Sequence, residues 1–199
     1  MITTIIFDLS EVYLNGMYRI EEKIGEATGQ FVKDDYIHTL DVAKDFFNGK
    51  ISEEEFWKSL IDTHDWNIEI PTLKKIIRDK MTEIDGTRNI IEGLKKNGYR
   101  LGLLSIHAKE WIDHLEEKFD FHRLFDSRLY SFEVGVGKPD PRAFKLILNN
   151  LKVTPQECLF IDDYFVNTQA AQALGITTII FENAEQLKQE LLLMEIKFS

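Results

Sequence analysis

One cysteine is all that the 199-residue chain contains, Cys158 in the apolar run ECLFID. That excludes an intrachain disulfide and a cysteine-built metal cluster, and the residue reads as a small buried hydrophobe. Basic residues are also in short supply: 24 Lys and Arg stand against 34 Asp and Glu, for a formal net charge of −10. A nucleic-acid or anionic-membrane surface needs a basic patch that releases counterions, so neither partner is expected. An anionic small substrate stays compatible, because a metal or a few local cations can reverse the field at one site. No apolar run approaches the roughly 20 residues that span a bilayer. The N-terminus lacks a basic region followed by a long apolar stretch, so no signal peptide is read and a cytoplasmic location is expected. No internal repeat or low-complexity segment breaks the chain. What remains is ordinary for a globular protein, 44% hydrophobic and 29% charged, with enough length for one core plus a smaller insert.

Four short runs, 2–7, 100–105, 157–161 and 176–181, are almost continuously apolar. Strands buried on both faces of a parallel sheet read this way. A weaker strand is expected at 129–133. Between them lie stretches of helical period at 88–98, 109–119 and 141–151, the last opening on Pro141, which suits a first helical turn. Alternating strand and helix implies right-handed crossovers, hence an α/β fold with a doubly wound, Rossmann-like parallel sheet. Residues 15–84 interrupt the rhythm and read as helices at 18–28, 33–47, 53–64 and 72–82. Ser52 and Glu55 form a capping-box signature for the third. The expected organisation is a core domain from 1–14 and 85–199 with an inserted α-helical domain at 15–84.

Ligands of an open parallel sheet bind beyond the carboxyl ends of the strands. Asp8 and Ser10 follow the first strand, Ser105 the second, Lys138 the weak one, and Asp162 with Asp163 the last of the central ones. Three carboxylates, one hydroxyl and one lysine thus meet at one edge. Adjacent carboxylates after a buried strand repel and call for a cation. Hard oxygen ligands suit Mg²⁺, and a lysine with a hydroxyl suits phosphoryl oxygens.

These segments resemble the haloacid dehalogenase-like superfamily of hydrolases over essentially the whole length. The motifs appear as IIFDLSEV (5–12), LLSIH (103–107), GVGKPDP (135–141) and FIDDYFVNTQAAQALG (160–175). GKISEEEFW and VGVGKPDPRAF look most like the branch of sugar-phosphate phosphatases and the phosphatase domain of soluble epoxide hydrolase. The resemblance implies a helical cap at 15–84 and a small phosphorylated metabolite as substrate. It implies Asp8 as nucleophile, and Mg²⁺ held by Asp8, the backbone carbonyl of Ser10 and Asp163, with Asp162 nearby. It also implies Ser105, the Ile106 backbone N–H and Lys138 on the phosphoryl oxygens. Oligomeric state is read only as monomer or homodimer.

Ser10 departs from that pattern. Phosphatases of the superfamily usually place an aspartate there, which protonates the leaving oxygen and later activates water. A serine hydroxyl is far too weak an acid for this, while its carbonyl stays available to a metal. Proton-transfer assistance is worth about 10²–10⁴-fold. The reading is therefore a phosphatase with slowed turnover. A phosphometabolite-binding or interaction protein is the competing class. Haloacid dehalogenation is disfavoured by Ser10 in place of tyrosine and Ile106 in place of asparagine. Strand alternation aims Glu11 away from the site. Tyr13 and Asn15, just after the first motif, are the better candidates for substrate contact in this segment; His107 is placed near the pocket mouth, where a surface or helix-capping role is favoured over a substrate contact.

Overall fold

The computed structural model describes residues 1–16, 18–33 and 36–198. Its centre is a five-stranded, all-parallel sheet. The strands are β1 Thr4–Phe7, β2 Arg100–Ser105, β3 Ser127–Tyr130, β4 Cys158–Asp162 and β5 Thr177–Ile180, in the order β3-β2-β1-β4-β5. β1 therefore lies in the middle, flanked by β2 and β4, and is buried along its whole length. Side chains alternate between two layers. Ile5, Phe7, Leu101, Leu103, Leu159 and Ile161 join the larger core cluster, while Ile6, Leu104, Cys158 and Phe160 join the smaller one. Both faces are apolar, which is why these runs read as continuous rather than alternating.

The helices are α1 Ile20–Thr28, α2 Tyr36–Thr39, α3 Asp41–Phe47, α4 Glu53–His64, α5 Ile70–Lys80, α6 Thr87–Lys96, α7 Lys109–Phe119, α8 Ser131–Val134, α9 Pro141–Leu151, α10 Phe165–Ala173 and α11 Ala184–Leu193. α4 starts at the capping box seen in the sequence, with the Ser52 hydroxyl accepting from the Glu55 N–H and Glu55 accepting from the Ser52 N–H. The helix expected at 33–47 is two helices, because Leu40 is extended (φ −74°, ψ 144°) between α2 and α3; residues 34 and 35 of that stretch lie outside the described residues. The strand expected at 129–133 lies two residues earlier. The chain turns helical at Ser131, where Glu133 accepts the Tyr130 N–H, and stops at Gly135 in the left-handed region (φ 67°). α10 and α11 carry little amphipathic signal. α10 turns the small polar side chains of Asn167 and Thr168 inward beside Ala171.

Helices α1–α5 all lie between β1 and α6. The two chain crossings that connect them to the sheet run side by side. Ile84 N–H donates to the Tyr13 carbonyl (2.9 Å), Asn15 N–H to the Thr82 carbonyl (2.7 Å), and Leu14 bridges Glu83. Phe46, Phe56 and Trp57 of the inserted helices share one continuous apolar cluster with Trp111 and the sheet. At the seam, the Glu53 carboxylate accepts a two-pronged bond from Arg78 (2.8 and 2.7 Å) and the indole N–H groups of Trp57 (3.2 Å) and Trp111 (2.7 Å). Burial works against that charge, but Arg78 and the two indoles outweigh it and hold the carboxyl below its usual range. Among the described residues, no helix is long and apolar enough to cross a membrane.

Candidate active site

Asp8 ends the central strand, its N–H still paired to the Ile161 carbonyl (2.9 Å). Lys138 reaches it from the loop before α9. Its Nζ lies 2.7 Å from Asp8 Oδ1 and 2.6 Å from Asp162 Oδ2, and the lysine is only 5% exposed. Asp162, the last residue of β4, is fully buried. It also accepts from the Tyr164 N–H (2.9 Å) and from Asn167 Nδ2 (2.9 Å), so its oxygens are held by fixed donors. Asp163 opens outward. The carboxylates of Asp8, Asp162 and Asp163 lie within 4.8 Å of one another.

The electrostatics follow from that count. With all three carboxylates ionised, one ammonium leaves an excess of two negative charges, and the carboxyl groups respond by binding protons more tightly. Burial pushes the Asp8 carboxyl up, and Asp162 and Asp163 add to the push, while Lys138 pulls it back. Partial enclosure and the neighbouring Asp162 lift Asp163 to about 6. Burial alone would lower Lys138; Asp162 and Asp8 more than offset this and hold it protonated. A divalent cation balances the charge, and hard oxygens within this spacing fit Mg²⁺. Ser105 adds an unpaired hydroxyl at the same sheet edge. Its hydroxyl is buried at the end of β2 and finds no partner among the described residues. An unpaired buried hydroxyl is costly, and a phosphoryl oxygen would satisfy it.

A cavity of about 750 Å³ opens above these groups. Asp8, Ser10, Glu11, Asp163, Lys138 and Asn167 form its floor, joined by Ile106 and His107 after β2. Ser105 itself does not line it. Tyr18, Thr39, Lys44, Phe47, Asn48 and Met81 of the inserted segment supply the opposite wall. The insert is tied down there by the Ser131 hydroxyl, which donates to the Phe47 carbonyl (2.6 Å) and accepts the His107 N–H (3.1 Å).

Several expectations need correction. Glu11 does face the cavity, because its backbone is left-handed (φ 58°) and strand alternation ends before it. Its Oε1 accepts the N–H groups of Gly16 (2.9 Å) and Tyr18 (3.2 Å). Gly16 must be small here: a Cβ would come within 3.0 Å of Ser10 Oγ and 3.2 Å of Glu11 Oε1. Tyr13 and Asn15 do not line the cavity. Tyr13 is buried with its hydroxyl on Glu83, which Arg88 also holds, and Asn15 Nδ2 donates to the Thr82 hydroxyl (2.8 Å). His107 is not at the surface but 4% exposed. Asn167 escaped the sequence reading. Its position five residues after Asp162, one turn into a helix that begins at the strand end, is the signal that could have found it.

The chain belongs to the haloacid dehalogenase-like hydrolase family, which matches residues 2–175. It is 28% identical over 148 residues to flavin mononucleotide hydrolase 1 of Arabidopsis thaliana, covering 74% of this chain and 59% of that protein. It is 29% identical over 202 residues to D-ribitol-5-phosphate phosphatase of Bacteroides thetaiotaomicron, covering 96% and 97%. Matches to mammalian bifunctional epoxide hydrolase 2 span only 18% of those longer proteins. Among solved structures, a HAD-like hydrolase of Porphyromonas gingivalis superposes with a TM-score of 0.78 at 27% identity, covering 98% of each chain. A HAD enzyme of B. thetaiotaomicron, solved with magnesium and inorganic phosphate, shares the fold with a TM-score of 0.77 at 22% identity, covering 92% of this chain and 96% of that one.

Proposed function

We propose that the protein hydrolyses small phosphomonoesters through Asp8, with the helices of 15–84 acting as a cap over the site. The observation that carries this reading is the Asp8 carboxylate at the cavity floor, 2.7 Å from Lys138, with the unpaired Ser105 hydroxyl at the end of the neighbouring strand. Asp8 attacks phosphorus, the bond to the leaving oxygen breaks, and the phosphoryl group rests on the carboxylate until water removes it. Lys138 and the Ser105 hydroxyl bind phosphoryl oxygens. Lys138 also favours the ionised form of Asp8, against the burial and acidic neighbours that push its carboxyl up. Asp162 positions Lys138, and Asn167 positions Asp162. A Mg²⁺ ion held by Asp8, Asp163 and the Ser10 carbonyl would supply the positive charge that lets two anions approach. The substrate classes of the relatives, a sugar-alcohol phosphate and a flavin phosphate, support a phosphorylated small molecule.

Ser10 stands where proton transfer is needed and supplies none, so the leaving oxygen departs less well protonated and water is activated less well. Substrates with good leaving groups suffer least. Hydrolysis of 4-nitrophenyl phosphate and of a panel of sugar, polyol and acyl phosphates, with Mg²⁺ or with EDTA, tests the reading. Mg²⁺-dependent turnover that Asp8→Asn abolishes is expected. Turnover by neither protein on any substrate would leave a binding module.

A further inference from the structure

Beyond the phosphoryl site, the cavity lining includes a buried imidazole that the mechanism does not use. His107 is 4% exposed and lines the cavity two residues past Ser105. The Ala108 N–H donates to its Nδ1 at 3.1 Å. The alternative, Nδ1–H donating to the Ala108 carbonyl, spans 3.4 Å and would leave two N–H groups facing each other. Nδ1 is therefore the acceptor, and the ring proton sits on Nε2. The indole of Trp111 stands edge-on to the ring (84° between planes, centroids 5.8 Å apart) and fixes its tilt. Nε2 finds no partner among the described residues, yet it is not among the buried atoms cut off from solvent, as the Nε2 atoms of His64 and His114 are. The free N–H thus faces the cavity.

The charges around it limit what it can meet. Asp8, Glu11 and Asp163 line the cavity as carboxylates. Lys138 is engaged by Asp8 and Asp162, and Lys44 pairs with Asp41 at 2.8 Å on the exposed rim. A second phosphate or a carboxylate on the substrate would meet net negative charge. A neutral oxygen would meet a donor.

We propose that His107 is a specificity-determining residue: its Nε2–H binds a hydroxyl or carbonyl oxygen on the neutral organic half of the phosphomonoester, selecting oxygen-bearing substrates whose phosphoryl group is their one anionic group. This rests on the phosphatase reading. Loss of one such bond costs about tenfold in affinity.

The test uses the Asp8→Asn protein with Mg²⁺, so that ligands persist. Calorimetry measures ribitol 5-phosphate and inorganic phosphate binding with His107 intact, with His107→Phe and with His107→Gln, whose amide can donate. The expected result is about tenfold weaker ribitol 5-phosphate binding for Phe, partial recovery for Gln, and phosphate binding within about twofold throughout. Nitrogen NMR on the Asp8→Asn chain alone gives a readout independent of those variants folding. The His107 Nε2 resonance is expected to shift with ribitol 5-phosphate and not with inorganic phosphate. Equal losses for both ligands, no loss for either, or an unmoved Nε2 would overturn the inference while leaving the phosphoryl site standing. Absence of phosphate binding in every protein, the parent with Asp8 intact included, would overturn both.

Discussion

Lys138 holds two carboxylates at once, Asp8 at 2.7 Å and Asp162 at 2.6 Å, with its side chain 1% exposed. An ammonium so placed cannot be removed without leaving two buried anions side by side. Lys138→Met is expected to destabilise the fold by roughly 3–5 kcal/mol, the range for breaking a buried ion pair. Turnover should fall by at least about 10²-fold. Thermal or urea unfolding together with steady-state kinetics reads both. A variant with full activity would remove Lys138 from the site.

Ser10→Asp is expected to raise kcat on alkyl phosphates by about 10²–10⁴-fold. The gain should be much smaller on 4-nitrophenyl phosphate, whose leaving group needs little protonation. Kinetics across a series of leaving groups measures the difference. An equal effect on all of them would mean that proton transfer is not what Ser10 limits.

Glu53 joins the inserted helices to the core through Arg78, Trp57 and Trp111. Glu53→Ala leaves a guanidinium and two indole N–H groups without their acceptor, and should cost about 3–5 kcal/mol. Glu53→Gln keeps an acceptor and should cost less. Denaturant unfolding followed by tryptophan fluorescence checks the order, which reverses if the seam is held by apolar packing alone.

Burial pushes the His107 imidazole down from 6.5 to about 4. Above pH 6.5 both folded and unfolded forms are neutral at this residue. Between 6.5 and 4 the unfolded chain takes up a proton that the folded chain refuses, so stability falls as pH falls, and it levels off below about 4. The full contribution is about 3 kcal/mol. The difference in unfolding free energy between the parent and His107→Gln should therefore shrink by that amount from pH 7.5 to pH 4. A pH-independent difference would mean that burial does not hold the imidazole below its usual range.

The parts visible in the sequence are those that repeat or sit at strand ends. β1, β2 and β4 were legible because burial on both faces demands unbroken apolar runs; β5, an edge strand with Ile179 buried, was legible from its β-branched run TTII. Asp8, Ser105, Lys138 and Asp162 were legible because a parallel sheet sends the ends of its strands to one edge. Glu11 was misplaced because alternation fails where one residue takes a positive φ. Tyr13 was misplaced because proximity in sequence to Asp8 says nothing of the Glu83 hydroxyl partner, 70 residues away. His107 is buried beside Ser131, whose hydroxyl accepts its N–H from 24 residues away, a contact between segments that no local pattern encodes. The same holds for the cavity wall made by Phe47, Asn48 and Met81.

Phosphoryl transfer to Asp8 is the centre of the account. Because Ser10 is poorly suited to activate the hydrolytic water, the phosphorylated form should persist. The most direct measurement is an acid quench of the protein with Mg²⁺ and acetyl phosphate, followed by mass spectrometry of the peptide bearing Asp8. A phosphoryl group on Asp8, lost in Asp8→Asn and in EDTA, is the predicted result. Turnover without phosphate on that peptide, or turnover that survives Asp8→Asn, would contradict it.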